Sequence, residues 1–304
     1  MLRVWLVVAC SLVVSASQLA AEDEVKPYVS YEAAFHAASK HRASGEWKAS
    51  EDALRQAIEL SSDVRKHCDA HRVLVDVYSR LDKPGAMFDS ADFVVANHPH
   101  AASASLTKSS LTSIVGQRDW HAKMKERYEG ILVKDPKNRV ALEMMERYTY
   151  LLSRQHDKRI EYLDRLIDLQ KSSDEPIDIR MHMDRAFSYK ILHDYPKSAE
   201  LYEGTAELDD ASRSFALMRA AEVWQQAKDK PKALAAAKRA DQLGPSKGVD
   251  NNLYAWHRGL GEVFIYTRQT DLAIKHLEAA VAEAPINAYR QQCTELLELA
   301  KDLK

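Results

Sequence analysis

The sequence predicts an all-α solenoid of about seven stacked helix pairs, closed by a C-terminal capping helix. Three observations carry this. Only 9 Gly and 9 Pro punctuate 304 residues, while 46% are apolar and 29% charged, a balance that favours long helices over a turn-rich β fold. Alternating β-branched runs closed by Asn-Gly or Asp-Gly, the usual hairpin signal, are missing. One phrase also recurs: a short turn, often with an acid and an aromatic, then an Ala-rich amphipathic helix. It reads GEWKASEDALRQAIELS at 45–61, HDYPKSAELYEGTAELD at 193–209 and TRQTDLAIKHLEAAVAEAP at 267–285.

The chain opens differently. MLRVWLVVACSLVVSASQLAAEDE has one early Arg, an apolar run from Val4 to Val14, small residues and then acids. That is the layout of a secretory signal peptide, expected over residues 1–21. The run falls short of the roughly 20 residues needed to span a bilayer, so the mature chain is expected to have no membrane span. Its place of work is then periplasmic or extracellular. Removing the leader takes away one Arg and leaves 42 basic against 45 acidic residues, a net charge of −3. Without a basic stripe, nucleic acid is not an expected partner. A flexible lead follows over 22–30.

The repeats fill 31–287. Aligned on the residue that opens each second helix, they register at Ser50, Ala86, Met124, Arg159, Ser198, Ala233 and Ala273, spaced 35 to 40 residues apart. A period in this range marks an array of small units, each of which buries its apolar face only against its neighbour. The tail AYRQQCTELLELAKDLK, 288–304, places Leu296, Leu299 and Leu303 on one side, as a cap for the last repeat requires. Cys68 and Cys293 are expected at opposite ends of the stack, too far apart for a disulfide.

The last copy is the clearest. Leu260-Gly261, Phe264, Ala273, Leu277, Ala280 and Pro285 resemble the tetratricopeptide repeat, a helix–turn–helix unit. Ala38, Ser50, Leu54 and Ala57 occupy the matching places in the first copy, and Ala221, Trp224, Ala233, Ala237, Ala240 and Pro245 in the sixth. Repeat 4 departs, with Arg159 where the pattern has Ala. Small residues at Gly261 and Ala273 let two backbones approach, and Phe264 and Leu277 fill the space beside them. The resemblance implies a right-handed superhelix whose first helices line a concave groove. In that frame Phe35, Ser39, His71, Val75, Met144, Tyr148, Met183, Phe187, Arg258 and Glu262 face the groove. A register shift of one residue would instead put the Met and aromatic members in the core. The Lys, Asn and Arg clamp that some members of the family use for a C-terminal carboxylate is absent at Phe35, Ser39, His71 and Val75.

No nucleophile elbow, phosphate loop, zinc-protease helix or dinucleotide fingerprint occurs, so neither an enzyme nor a cofactor is expected. The candidate metal pair is His67 and His71, at i and i+4 in HCDAH; a structural zinc site would need more ligands. The expected function is therefore an exported, non-catalytic scaffold or adaptor that binds a protein or peptide partner. The alternatives are metal handling by the N-terminal histidines and an accessory subunit tethered by an uncleaved leader.

Overall fold

A computed structural model describes residues 28–98, 101–173, 176–246 and 252–304. The proposed leader, 1–21, and most of the lead lie outside them. The described residues form fifteen helices and no strand. They make seven pairs, each of a first and a second helix: α1 (Tyr31–Ala43) with α2 (Trp47–Glu59), α3 (Val64–Arg80) with α4 (Pro84–Asn97), α5 (Ala101–Gln117) with α6 (His121–Lys134) and α7 (Arg139–Leu151) with α8 (His156–Lys171). Next come α9 (Ile179–Ile191) with α10 (Tyr195–Ala206), α11 (Arg213–Gln226) with α12 (Lys230–Leu243) and α13 (Leu253–Tyr266) with α14 (Thr270–Glu283); α15 (Asn287–Asp302) covers the last pair.

One device makes the turn inside every pair. A residue with positive φ, between 51° and 76°, stands there: Gly45, Asp82, Asp119, Arg154, His193, Lys228 and Arg268. The next amide reaches back to the carbonyl five residues earlier, as in Glu46 to His41 at 2.8 Å, Lys83 to Tyr78 at 2.9 Å and Gln269 to Phe264 at 2.8 Å. This Schellman closure satisfies carbonyls that a helix end leaves open. Repeat 4 is one residue longer here, and Gln155 reaches Thr149 instead.

The turn sets the register of the pair. The fifth residue after each left-handed one is buried on the second helix and meets a buried residue of the first. Ser50 Oγ donates to Ala38 O at 3.0 Å and Ser198 Oγ to Ala186 O at 2.7 Å, both across 12 residues. Gly261 and Ala273 stand at the same places in repeat 7. A Cβ on Gly261 would lie 2.7 Å from Leu277 Cγ, so the close approach inferred from the sequence is present. Four residues beyond the seam, the second helices bury Leu54, Tyr128, Leu163, Tyr202 and Leu277.

Repeat 4 fills its seam with charge. Arg159 is fully buried, and its Nε donates to Glu146 Oε1 at 2.6 Å across 13 residues. Its Nη1 lies 3.4 Å from Ser188 Oγ. Nη2 sits 3.1 Å from Asp184 Oδ2, off the N–H direction and without a hydrogen bond. The guanidinium lies over the Tyr150 ring at 4.0 Å, within cation–π range. Burial pushes the Glu146 carboxyl above its ordinary range, against the pull of Arg159. This polar cluster stands between two apolar clusters, one reaching from Tyr31 to Leu166 and the other from Ala186 to Ala300.

Two expectations of register need correction. In repeat 2 the seam residue is the fully buried Met87, because Ala86 beside it is only half-buried. On α15 the buried face is Cys293, Leu297 and Ala300, while Leu299 is 48% exposed. Cys68 and Cys293 are both buried free thiols.

Candidate partner-binding groove

In the frame implied by the resemblance, the groove positions of each first helix stand at fixed distances from the seam. Three residues before it and one after it are Phe35 and Ser39 in repeat 1, Met183 and Phe187 in repeat 5, and Arg258 and Glu262 in repeat 7. Phe35 is half-buried and stacks on Tyr31 at 5.4 Å. Ser39 Oγ is turned back onto Phe35 O at 3.1 Å.

The same count shifts the frame by one residue in repeats 2 and 4. Met144 is 0% exposed and Tyr148 is buried beside it in the first apolar cluster, so neither offers a surface to a partner. Their inward neighbours are Glu143 and Arg147. Glu143 pairs with Lys108 at 2.8 Å and with Arg139 at 3.0 Å, and Arg147 donates to Ser109 Oγ at 2.6 Å. The aromatic and Met stripe expected in mid-chain is therefore replaced at repeat 4 by one ion pair and one hydrogen bond between α5 and α7. In repeat 2, Val75 is core. His71 is half-buried, stacked on Phe93 at 4.3 Å and bonded through Nδ1 to Ser90 Oγ at 3.2 Å. Burial lowers its pKa to about 4.

A wider cleft opens at repeat 5 than the one beside His71 in repeat 2. A cleft of about 680 Å³ lies between α9 and α11, with Met183, Phe187 and Phe215 on its floor and Tyr150 and Ile177 at its side. Phe187 is held edge-on to Tyr150 at 6.3 Å and backed by His156 at 6.2 Å. The cleft exists because α9 and α11 are joined mainly through α10. By contrast α11 and α13 pack directly, since Gly259 presents no side chain to Met218 and Glu222; a Cβ there would lie 2.7 and 2.6 Å from them.

The surface continues from this cleft. Lys190 and Arg219 line both it and a polar stretch that includes Gln225, Gln226, Arg258 and Glu262. Gln225, Arg258 and Glu262 in turn line a second cleft of about 750 Å³, with Ile265, Tyr266, Leu296 and Leu299. The result is one continuous groove along α9, α11, α13 and α15, with apolar side chains set among charged ones at both ends and a more polar stretch between. Arg219 and Glu222 pair at 2.8 Å, and Arg258 and Glu262 at 2.7 Å.

The histidines serve packing. His67 Nε2 lies 2.6 Å from Ser61 O, and the Phe93 ring stands against both His67 and His71. Among the described residues no group of three or more His, Cys, Asp or Glu side chains is placed to hold a metal ion. Asp241, His276 and His257 make a second chain. Asp241 Oδ1 can only accept, at 2.9 Å from His276 Nε2, so that nitrogen carries the proton of neutral His276. Its Nδ1 then accepts from His257 Nδ1–H at 3.1 Å. Burial first, against the pull of Asp241, lowers the His276 pKa to about 4.

Sequence reasoning missed Glu143 and Arg147 on the inner face and Tyr150, Ile177 and Phe215 around the first cleft. The signal for the first two was the acid–base pair Glu146 and Arg159, 13 rather than 12 residues apart. Ile177 lies in the inter-repeat connection, where no repeat frame applies.

Seven helix–turn–helix units on a 35- to 40-residue period, each with a buried seam, define a tetratricopeptide-like helical repeat fold. No family model and no curated protein matches the chain by sequence. Solved structures similar to it include a TPR repeat-containing protein of Cytophaga hutchinsonii, at 13% identity and a TM-score of 0.49 over 86% of this chain and 99% of that one. Another is a tetratricopeptide repeat protein of Parabacteroides merdae, at 14% identity and 0.43 over 89% and 98%. YrrB, described as a TPR protein with an unusual peptide-binding site, is similar at 10% identity and 0.44 over 62% and 91%. No helix among the described residues is long and apolar enough to cross a membrane.

Proposed function

We propose that this chain is a non-catalytic scaffold or adaptor that holds a segment of a protein partner in the inner groove of repeats 5 to 7. The observation that carries the reading is the continuity of that groove. Two clefts with apolar side chains on their walls and the polar stretch between them share lining residues, so one segment can lie across all three. Met and aromatic side chains at the floor suit such a role, because they bury large area and adapt their shape. Export is part of the reading, supported by the leader-like layout of residues 1–21.

A crosslinked capture with the full chain as bait, run beside a Met183→Asp/Phe187→Asp variant, tests the site. Both residues are only half-buried, so circular dichroism should show an intact fold. A partner held by the native chain and lost by the variant is the expected result. A partner held equally by both would move binding off the groove. Sequencing the N-terminus of the protein recovered from its own cells tests export, with a start near Glu22 expected; a start at Met1 would overturn it.

A further inference from the structure

The apolar interior of the solenoid is not continuous. One cluster of buried side chains runs from Tyr31 to Leu166 and another from Ala186 to Ala300, and the boundary falls between α8 and α9. Ile160, Leu163 and Ile167 of α8 are buried there but belong to neither cluster. Beyond them α9 is thinly anchored. Of its thirteen residues only Ala186 and Ser188 are buried. Its backbone packs on α8 and α10 and stands apart from α7 and α11. Interdigitated apolar side chains hold one arrangement, because any shift opens voids or clashes. Where that packing lapses, the remaining ties decide how far two elements can move.

Across α8 and α9 the ties include polar ones that are incompletely made. Arg159 Nη2 on α8 stands 3.1 Å from Asp184 Oδ2 on α9, and Arg185 Nε on α9 stands 2.6 Å from Asp164 Oδ1 on α8. The two pairs cross the interface in opposite senses. Both nitrogens are buried, and neither makes a hydrogen bond among the described residues. Ser188 Oγ donates within α9 to Asp184 O at 2.9 Å, and Arg159 Nη1 and His156 Nδ1 approach it only to 3.4 Å. Attraction between opposite charges falls slowly with distance, whereas a hydrogen bond weakens steeply when bent. Turning α9 against α8 therefore keeps both ion pairs, can align N–H groups that are now idle, and gives up contacts that are already long. Two arrangements of this junction lie close in free energy.

We propose that the α8–α9 junction is a hinge between two bodies, repeats 1 to 4 and repeats 5 to 7 with α15, and that its movement sets the width of the first cleft. Among the described residues Tyr150 is the one that the first body contributes to the lining of that cleft; Met183, Phe187 and Phe215 on its floor belong to the second. The Tyr150 ring lies under the Arg159 guanidinium at 4.0 Å and meets Phe187 edge-on at 6.3 Å. The Glu146–Arg159 pair sits wholly within the first body. When the bodies turn, Tyr150 stays with Arg159 and slides past Phe187, so the cleft opens or closes at that side. The hinge does not depend on what lies in the groove.

Distance measurements between pairs of spin labels on the full chain test this. Labels carried on azide-bearing residues leave the native thiols alone. Three pairs of exposed second-helix positions, each two repeats apart, are Glu59 with Glu126, Glu126 with Glu200 and Glu200 with Glu278. Only the middle pair spans the junction. Its distance distribution should be about twice as wide as the other two, or split in two. Three distributions of equal width would overturn the hinge. Glu146→Leu/Arg159→Met replaces the buried pair by apolar side chains, a change that folds often tolerate, and should narrow the middle distribution to the width of its neighbours. Asp164→Asn weakens the outer pair without leaving a buried charge, and should shift the middle distribution alone; it decides the matter if the double variant does not fold. A middle distribution unchanged in the folded variants would overturn the assignment to the polar ties. A short thiol crosslinker joining Tyr150→Cys to Phe187→Cys should also narrow it, and a width kept after crosslinking would separate the hinge from the cleft.

Discussion

In repeat 7 the paired helices meet through Gly261 and Ala273, with Leu277 closing the space that the missing side chain leaves. At the same two positions repeat 4 carries Glu146 and Arg159, buried and bonded at 2.6 Å. One seam brings backbones together by removing atoms, and the other holds them apart with a salt bridge. The consequences differ. An apolar seam is tolerant of its surroundings and depends on volume. A buried ion pair depends on both partners, because either one left alone is an uncompensated charge in a poor solvent. Repeat 4 is also where the turn is one residue longer and where the first apolar cluster gives way to the second. Arg159 contacts Asp184 and Ser188 of the next first helix, so the pair ties the repeats on either side of that change. Tyr150, under the guanidinium, forms one side of the open cleft and meets Phe187 on its floor. The seam's chemistry thus reaches the groove through one aromatic ring.

Breaking the charged seam should have the largest effect. Glu146→Leu leaves the half-exposed Asp184 as the only carboxylate beside Arg159, and a loss of about 3–5 kcal/mol is expected. Urea unfolding followed by circular dichroism measures it, and a loss below about 1 kcal/mol would show that Asp184 alone satisfies the guanidinium. Glu146→Ala/Arg159→Ala imports the repeat 7 solution and should recover much of the single variant's loss. If the double variant is no better than the single, the two seams are not interchangeable.

Acid should act first on repeat 7. His276 is neutral in the fold, with its pKa lowered from 6.5 to about 4. Its contribution is therefore complete above about pH 6.5 and is lost as pH falls toward 4, because the unfolded chain takes up the proton first; the loss is about 2–3 kcal/mol. Glu146 is shifted upward by burial. Its carboxyl therefore takes up a proton at a higher pH than in the unfolded chain, which opposes the acid loss at His276. Unfolding curves between pH 7 and 4.5 should slope downward on acidification in the native chain, with His71 contributing through the same kind of shift, and the slope should lessen in His276→Gln. A slope unchanged by that substitution would assign the acid sensitivity elsewhere.

Volume, not charge, governs the seam of repeat 7. Gly261→Ala places its Cβ against the fully buried Leu277, and a net loss of about 1–2 kcal/mol is expected after allowing for the better helix propensity of Ala. Leu277→Ala should cost less in that variant than in the native chain. Strict additivity would mean that the helices simply move apart.

The comparison also shows what the sequence could reveal. The period exposed all seven helix pairs, because a solenoid must repeat its buried positions to stack. Gly261, Ala273 and Leu277 were readable, since small and large residues at that spacing have few other uses. Repeats 2 and 4 slipped by one residue for local reasons. Ala86 stands beside the true seam residue Met87 and imitates it. In repeat 4 the seam carries charged residues, which look like surface, and the longer turn moves Glu146 and Arg159 one step apart. Met144 and Tyr148 were consequently turned toward the groove when they belong to the core. The first cleft was legible only through Met183 and Phe187. Its width depends on how far α9 stands from α11, and no residue pattern within a single repeat encodes that distance.

The smallest effect lies in the turns, where repeats differ by residue type while sharing a conformation. Gly45 has φ 76° and nothing within 4 Å of where a Cβ would stand. Asp82, in the same place in repeat 2, has φ 55°. Gly45→Ala therefore adds no clash, and its cost is the left-handed backbone alone, about 1 kcal/mol. Asp82→Gly removes that penalty at the price of greater freedom in the unfolded chain, and a gain of a few tenths up to about 0.5 kcal/mol is expected. Differential scanning calorimetry of the two variants reads both signs. If Asp82→Gly destabilises the chain, the aspartate side chain is holding the turn, and the common turn geometry is maintained by different forces in different repeats.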